Sequence, residues 1–488
     1  MAKKHAKRAL QGPPNNGQNK KTKISLITTP PPDGPLPPKT LYDVELTQDD
    51  LEVSIDTLNT LAETPSVIKS KDCKGLRTAV FNFRNACTTG LNATVDSSLI
   101  SRIGGALADK DYLEARILLA EMRIRCQAPK LGALCRWVRD LDVVSGLHDR
   151  THEIGAKGST ERTQLLEVLD AVLRATGPVD YTIEEHVAMD GPIVLRKDWN
   201  LRGTKPREQT YASVLDRSIF PTPCDITSRF RIIDTTPGPQ RKPPNLHPAI
   251  LYASENDAIS LSTKAPRTTH HKHSNVPNLH LLKDVLTSEE CRHIIGAAEV
   301  MGFTPDAPIR ALGEQSSVLA HNFYWIVDTL FCAGLWKRVQ SFVPAVFHGK
   351  HVRGLNRRFR VYRYVPGAEY RAHIDGAWPP SSIDPSTDKY IYDASPPHSK
   401  QSSLFTFLIY LNDEFEGGET TFFLPSAREG CMNAYPIKPV QGTVVLFPHG
   451  ETEGSLLHEG TGVQQGSAPS AKYVIRTDVL YDFAPNSR

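Results

Sequence analysis

The run from Phe359 to Asp375, Phe-Arg-Val-Tyr-Arg-Tyr-Val-Pro-Gly-Ala-Glu-Tyr-Arg-Ala-His-Ile-Asp, begins as a strand-like alternation and closes on His373-Ile374-Asp375. Side chains at i and i+2 of a β-strand share a face, so His373 and Asp375 can reach one ion while Ile374 packs behind them. Two ligands are half a site. Far downstream the strand-like run Gly-Thr-Val-Val-Leu-Phe-Pro leads through a loop to Leu456-Leu457-His458-Glu459-Gly460. Two histidines and one carboxylate are the set that holds non-haem Fe(II) on one triangular face and leaves the remaining positions open for substrate chemistry.

A chain of 488 residues exceeds what one hydrophobic core usually organises, and two to three domains are expected. Its 39% hydrophobic and 23% charged content is ordinary for a soluble protein, and a net charge of +3 does not by itself select a polyanionic partner. The basic start, Met-Ala-Lys-Lys-His-Ala-Lys-Arg, is followed by Gly, Pro, Asn and Lys rather than by an apolar signal core. No apolar run is long enough to span a bilayer, so no membrane association is expected. The cysteines at 73, 87, 126, 135, 224, 291, 332 and 431 lack paired spacing. That suits free thiols in a reducing compartment, and a nuclear or cytoplasmic location is expected.

Residues 1–40 combine seven Lys/Arg through Lys23 with the proline-rich run Thr-Thr-Pro-Pro-Pro-Asp-Gly-Pro-Leu-Pro-Pro. This is the composition of a disordered tail. Its basic residues read either as a nuclear-localisation or nucleic-acid-contacting arm or as a solvated segment. Residues 41–177 read as a helical domain, with helices expected over 49–62, 74–87, 97–107, 112–126, 131–143 and 162–175. Short connections such as Asp109-Lys110-Asp111 favour antiparallel neighbours. His148 and His152 stand four apart and read as surface histidines. Residues 178–278 are proline-rich and read as a connecting or wrapping segment, with His270, His271 and His273 on a flexible loop.

A new domain, 279–488, is expected to open with a strand at Leu279. Thr287-Ser-Glu-Glu290 then has the capping-box pattern that starts a helix. A second helix is expected over 323–342. Short strands follow at 359–364, 404–411, 420–423, 443–447 and 472–481, the pattern of a sandwich or barrel.

The segment 279–484, a little over two fifths of the chain, resembles the Fe(II)/2-oxoglutarate-dependent dioxygenases, in particular their prolyl 4-hydroxylase-like branch. The matching phrases, in order, are Arg-Tyr-Val-Pro-Gly leading into His-Ile-Asp-Gly, then Leu-Ile-Tyr-Leu-Asn-Asp, Glu-Gly-Gly-Glu-Thr-Thr-Phe-Phe, Leu-Leu-His-Glu-Gly and Lys-Tyr-Val-Ile-Arg-Thr-Asp-Val-Leu-Tyr. The resemblance implies an α+β protein in which the N-terminal helical region precedes a double-stranded β-helix (jelly-roll) oxygenase domain.

It further implies that His373, Asp375 and His458 are catalytic metal ligands for Fe(II), with 2-oxoglutarate and dioxygen as co-reactants, succinate and CO2 as products, and ascorbate as an accessory reductant. In the family a basic residue after the distal histidine grips the far carboxylate of 2-oxoglutarate. Lys472 occupies the matching place, whereas Arg476 offers the fork that suits a carboxylate better and is favoured on that chemistry. Both share a strand face, and register cannot choose between them. Tyr364 and Tyr410 stand where family members place a phenol near the cosubstrate, or are core aromatics. Gly417 and Gly418 read as a turn. The loop 376–403 reads as a lid or substrate-reading segment or as an inert disordered insertion, and its Trp378, Tyr390 and Tyr392 read as peptide contacts or as packing of the loop on itself.

The function expected is hydroxylation of a protein or peptide side chain, with prolyl first. The alternatives are oxidative demethylation of nucleic acid, suggested by the basic arm, and a catalytically silent scaffold. Against demethylation, the further arginine that such enzymes carry on the distal strand is missing from 477–485. Against silence, all three ligands are intact.

Overall fold

The computed structural model describes residues 47–89, 98–146, 160–182, 192–204, 207–220, 226–309, 320–450, 452–466 and 468–483. The basic tail, His148 and His152 lie outside them. In chain order the helices are α1 (Gln48–Ala62), α2 (Pro65–Ile68), α3 (Lys74–Thr89), α4 (Leu99–Ala108), α5 (Tyr112–Ile124), α6 (Leu131–Asp140), α7 (Thr160–Thr176), α8 (Thr210–Leu215), α9 (Ser288–Met301) and α10 (Thr329–Val339). The strands are β1 (Ile193–Leu195), β2 (Phe230–Thr236), β3 (Ala249–Ser254), β4 (Thr269–Lys272), β5 (His280–Lys283), β6 (Thr304–Pro305), β7 (His321–Ile326), β8 (Val346–Phe347), β9 (Lys350–Leu355) and β10 (Arg358–Tyr364). They continue with β11 (Tyr370–His373), β12 (Ser382–Ile383), β13 (Tyr390–Ile391), β14 (Gln401–Tyr410), β15 (Thr420–Pro425), β16 (Met432–Ile437), β17 (Val444–Pro448), β18 (Leu457–Gly460) and β19 (Lys472–Asp482).

The described residues fall into two compact units, one up to Phe81 and one from Asn82 on. In the first, Thr47 and Asp50 close a reciprocal capping box that starts α1. Arg77 ties the turn after α2 by donating to the Ser70 carbonyl at 2.8 Å.

The second unit is built on two sheets. The larger runs β2-β3-β7-β10-β19-β14-β17-β5-β4 and the smaller β1-β16-β15-β18-β11. From β10 to β19 the chain passes back and forth between them, and the interleaved sets β10-β19-β14-β17 and β11-β18-β15-β16 are a double-stranded β-helix. Period-2 alternation assigns each side chain a face. On β10, Phe359 and Val361 join a core with Ile294, Ile295, Phe331 and Leu335 of α9 and α10. Tyr362 and Tyr364 point the other way, into the space between the sheets with Phe422, Tyr435 and Phe447.

The outer face of the smaller sheet is covered by helices. Ala372, Ile374, Phe423, Met432 and Leu457 share one core with Leu118, Leu119, Trp137, Leu169 and Val172 of α5, α6 and α7. Within the described residues 98–146 and 160–176 the helices pack on one another, α5 against α4 and α7, and their core continues onto the smaller sheet rather than closing as a separate one. The boundary expected at 279 also falls inside the fold, because β1 extends the smaller sheet and β2, β3 and β4 the larger one.

Two local expectations change. The helix expected over 323–342 is two elements: β7, whose aromatic and β-branched run pairs with β10, and then α10, started by Asp328 capping the Phe331 amide. His270 and His271 lie on β4 rather than on a flexible loop, and His270 bonds His280 across the ladder at 2.9 Å. The loop 376–403 folds on itself through the β12–β13 pair and an edge contact between Trp378 and Tyr392 at 5.5 Å.

Candidate metal centre

β11 and β18 are antiparallel neighbours, and His373 and His458 are direct cross-strand partners. Asp375 follows two residues on. The three form the one His/Cys/Asp/Glu group among the described residues with ligand atoms close enough for a metal, all within 4.8 Å of one another. The Nε2 atoms of His373 and His458 stand 3.4 and 3.7 Å from the two carboxylate oxygens of Asp375.

The backbone sets both imidazole tautomers. His373 Nδ1 lies 2.8 Å from the Arg371 carbonyl and His458 Nδ1 3.1 Å from that of Leu456. A carbonyl only accepts, so each Nδ1 carries the proton and each Nε2 offers a lone pair toward Asp375. This is the orientation a metal ligand requires, with its other nitrogen anchored. Burial, reinforced by His373, pushes the His458 imidazole down to about 3, so it is neutral. Burial alone would raise the Asp375 carboxyl. Arg476 and the two histidines outweigh it and hold the group well below its usual range. Two imidazoles and one carboxylate form an N2O set that fits Fe(II).

A relay absent from the sequence reading stands behind Asp375. Thr406 donates its hydroxyl to Asp375 Oδ2 at 2.7 Å and accepts from His449 Nδ1 at 2.7 Å. His449 Nε2 in turn accepts from Ser403 Oγ at 2.8 Å, which itself accepts the Trp378 amide at 2.8 Å. His449 is buried and neutral, pushed down to about 3 by burial first and Arg476 second. Only its place just past the end of the strand that carries Phe447 could have suggested it.

Aromatic rings wall the imidazoles. Tyr370 stacks on His373 at 3.7 Å and 11°, and Phe447 meets His458 edge-on at 4.7 Å. The cavity beside the triad continues to Tyr364, Thr420 and Lys472 at one end and Arg476 at the other. Tyr362, not singled out from sequence, also lines it, and its buried hydroxyl has no partner. Tyr410 stands just behind the wall and donates to Thr420 Oγ1 at 2.7 Å.

The two basic candidates separate. Lys472 is 3% exposed, its ammonium over the rings of Tyr364 and Tyr410, and donates to the Gly418 carbonyl at 2.7 Å. That carbonyl is placed by Gly418 at φ +67, where a Cβ would come within 2.7 Å of Phe415. Burial pushes the Lys472 ammonium down to about 8. It retains donors for an anion, and Thr420, already accepting from Tyr410, has its own proton to give. Arg476 instead lies 3.3 Å from Asp375 and 3.4 Å from Asp478, and donates to the Gly376 carbonyl at 3.2 Å. The fork that favours Arg476 on chemistry is committed beside the metal triad.

The helices reach the same strands from behind. Ser145 Oγ accepts the Ala372 amide at 2.7 Å, Asp142 pairs with Arg371 at 3.0 Å, and Cys135 lies 3.5 Å from the Ile374 carbonyl. Glu459, adjacent to His458 but on the opposite face, accepts the Gly146 amide at 3.0 Å.

The jelly-roll thus holds a His-Asp-His triad between its sheets, a group that could bind a metal ion. Residues 359–477 match the family model described as the 2OG-Fe(II) oxygenase superfamily. Among solved structures, the viral collagen prolyl hydroxylase of Paramecium Bursaria Chlorella virus-1 in its 2OG complex is similar at 19% identity, over 42% of this chain and 96% of that one, with a TM-score of 0.27. A Pseudomonas putida prolyl-4-hydroxylase is similar at 16% identity over 39% and 82%, with a TM-score of 0.24. A 2OG-Fe(II) oxygenase-family oxidoreductase from Burkholderia pseudomallei matches at 14% identity over 41% and 85%, with a TM-score of 0.26. No curated protein matches the chain. No helix among the described residues is long and apolar enough to cross a membrane.

Proposed function

We propose that this 2-oxoglutarate-dependent dioxygenase hydroxylates a side chain of a protein or peptide, with prolyl the first candidate from the motifs of its oxygenase domain. In this reading His373, Asp375 and His458 hold Fe(II). Lys472 and the Thr420 hydroxyl receive the far carboxylate of 2-oxoglutarate, with Tyr364 beside them. The metal and cosubstrate, when bound, supply the oxidising chemistry that converts 2-oxoglutarate to succinate and CO2 as a C–H bond is hydroxylated.

The chain's own contribution is position. Arg371 and Leu456 carbonyls fix the imidazoles, Thr406 and Arg476 orient Asp375, and Tyr370, Phe422 and Phe447 keep water from the ring faces. The observation that carries the reading is the pair of Nε2 lone pairs aimed at one carboxylate beside a buried lysine. A macromolecular substrate is supported by the second, wider cavity of about 490 Å³ that shares Tyr370 and Arg476 with the metal cavity.

The test is succinate release by Fe(II)-loaded protein, with and without a proteome-derived peptide pool, against His373→Ala. Turnover that rises with peptides and vanishes in the variant is expected. No turnover and no retained iron would leave a silent scaffold.

A further inference from the structure

The wider cavity carries a charge that the oxygenase reaction does not need. Its walls present five cations, Arg241, Lys242, Arg358, Arg360 and Arg476, against one carboxylate, Asp306. Asp306 is already shared, with Arg241 at 2.5 Å on one oxygen and Arg360 on the other. Arg476 is committed to Asp375 and Asp478.

Arg358 differs. Its guanidinium has no ion pair or side-chain hydrogen bond among the described residues, and it lies between the rings of Trp378 at 4.1 Å and Tyr324 at 5.2 Å. Stacking occupies the faces of a guanidinium and leaves its N–H edge free for a bidentate acceptor. Burial works against the charge of Arg358, and an arriving anion would offset that cost.

The cavity is also aimed. Tyr324 of β7, Arg360 of β10 and Arg476 of β19 are successive cross-strand partners, a row that runs from the cavity floor to the neighbour of Asp375. Tyr370, stacked on His373, lines both cavities.

We infer that this cavity selects the substrate by its charge: the peptide carries Asp or Glu within a few residues of the modified side chain, and Arg358 grips that carboxylate. The inference rests on the protein-hydroxylase reading for the identity of the modified chain. An acidic peptide fits better than a nucleic acid: single-stranded nucleic acid binds by stacking bases on aromatic faces, and here Arg358 and Arg360 already lie over Tyr324 and Trp378.

The test is equilibrium binding, by fluorescence anisotropy with the full chain, of three labelled proline-centred peptides flanked by Glu, Gln or Lys, and of a single-stranded oligonucleotide. The Glu peptide is expected to bind at least about tenfold tighter than the Gln peptide. Arg358→Glu should invert the order so that the Lys peptide binds best, a gain that a misfolded variant cannot produce. Equal binding of Glu and Gln peptides, a Glu preference that survives Arg358→Glu, or tighter binding of the oligonucleotide than of the Glu peptide would each overturn the inference. The assay needs no turnover, so succinate release by the wild-type protein judges the oxygenase reading separately.

Discussion

Lys472 and Arg476 share one face of β19, yet the first donates to the Gly418 carbonyl at 2.7 Å while the second lies 3.3 Å from Asp375. Two cations four residues apart thus serve opposite ends of one cavity. Removing either should fail in a different way.

Lys472→Met should weaken 2-oxoglutarate binding and leave metal affinity nearly unchanged. Losing one partner of a buried charge pair costs about 2–5 kcal/mol, so a rise of roughly 30-fold or more in the 2-oxoglutarate dissociation constant is expected. Arg476→Gln should show the reverse pattern, with weaker metal retention. Titrations of each variant with Fe(II) and then with 2-oxoglutarate separate the two.

The buried ammonium also sets a pH limit. Folding lowers the Lys472 value from 10.5 to about 8, so the unfolded chain binds more protons between those values and the apo protein gains stability as pH rises through that window. In the proposed role of Lys472, 2-oxoglutarate binding uses the charged form and should move oppositely, falling above about pH 8 in the free protein. Isothermal titration across that range checks it. Lys472→Arg, charged throughout, should abolish the alkaline decline.

Thr406→Val keeps the volume of the side chain but removes both links of the relay between His449 and Asp375. Loss of a partner that orients a metal ligand typically costs about 10- to 100-fold in metal affinity. Metal titration should show a fall of that size, and Thr406→Ser should restore most of it.

Ser145→Ala tests whether the helices hold the metal-bearing strand. The Ala372 amide would lose its acceptor in a buried place, at a cost of about 1–3 kcal/mol. Chemical denaturation should show that loss, and metal affinity should drop with it. An unchanged metal affinity would assign Ser145 to stability alone.

Much of the site was legible because its logic is local. The i, i+2 spacing of His373 and Asp375 places them on one face wherever the strand goes, and alternating apolar residues mark β10, β14, β15, β17 and β19. The capping box at Thr287 starts its helix as the sequence reading expects. Where local signals conflicted the reading failed: the apolar density of 323–342 suits a helix or a buried strand, and only pairing with β10 decides for β7.

What the sequence by itself marked is the candidate set His373, Asp375 and His458 and the places along the chain of β10, β14, β15, β17 and β19. Tertiary structure alone decided the division of labour between Lys472 and Arg476, the relay through His449, and the use of α5, α6 and α7 as a backing for the smaller sheet. The physical reason is range. Ser145 and Ala372, or Arg358 and Trp378, meet only after strands distant in sequence have paired, and no periodicity within one segment encodes which distant face will bury it.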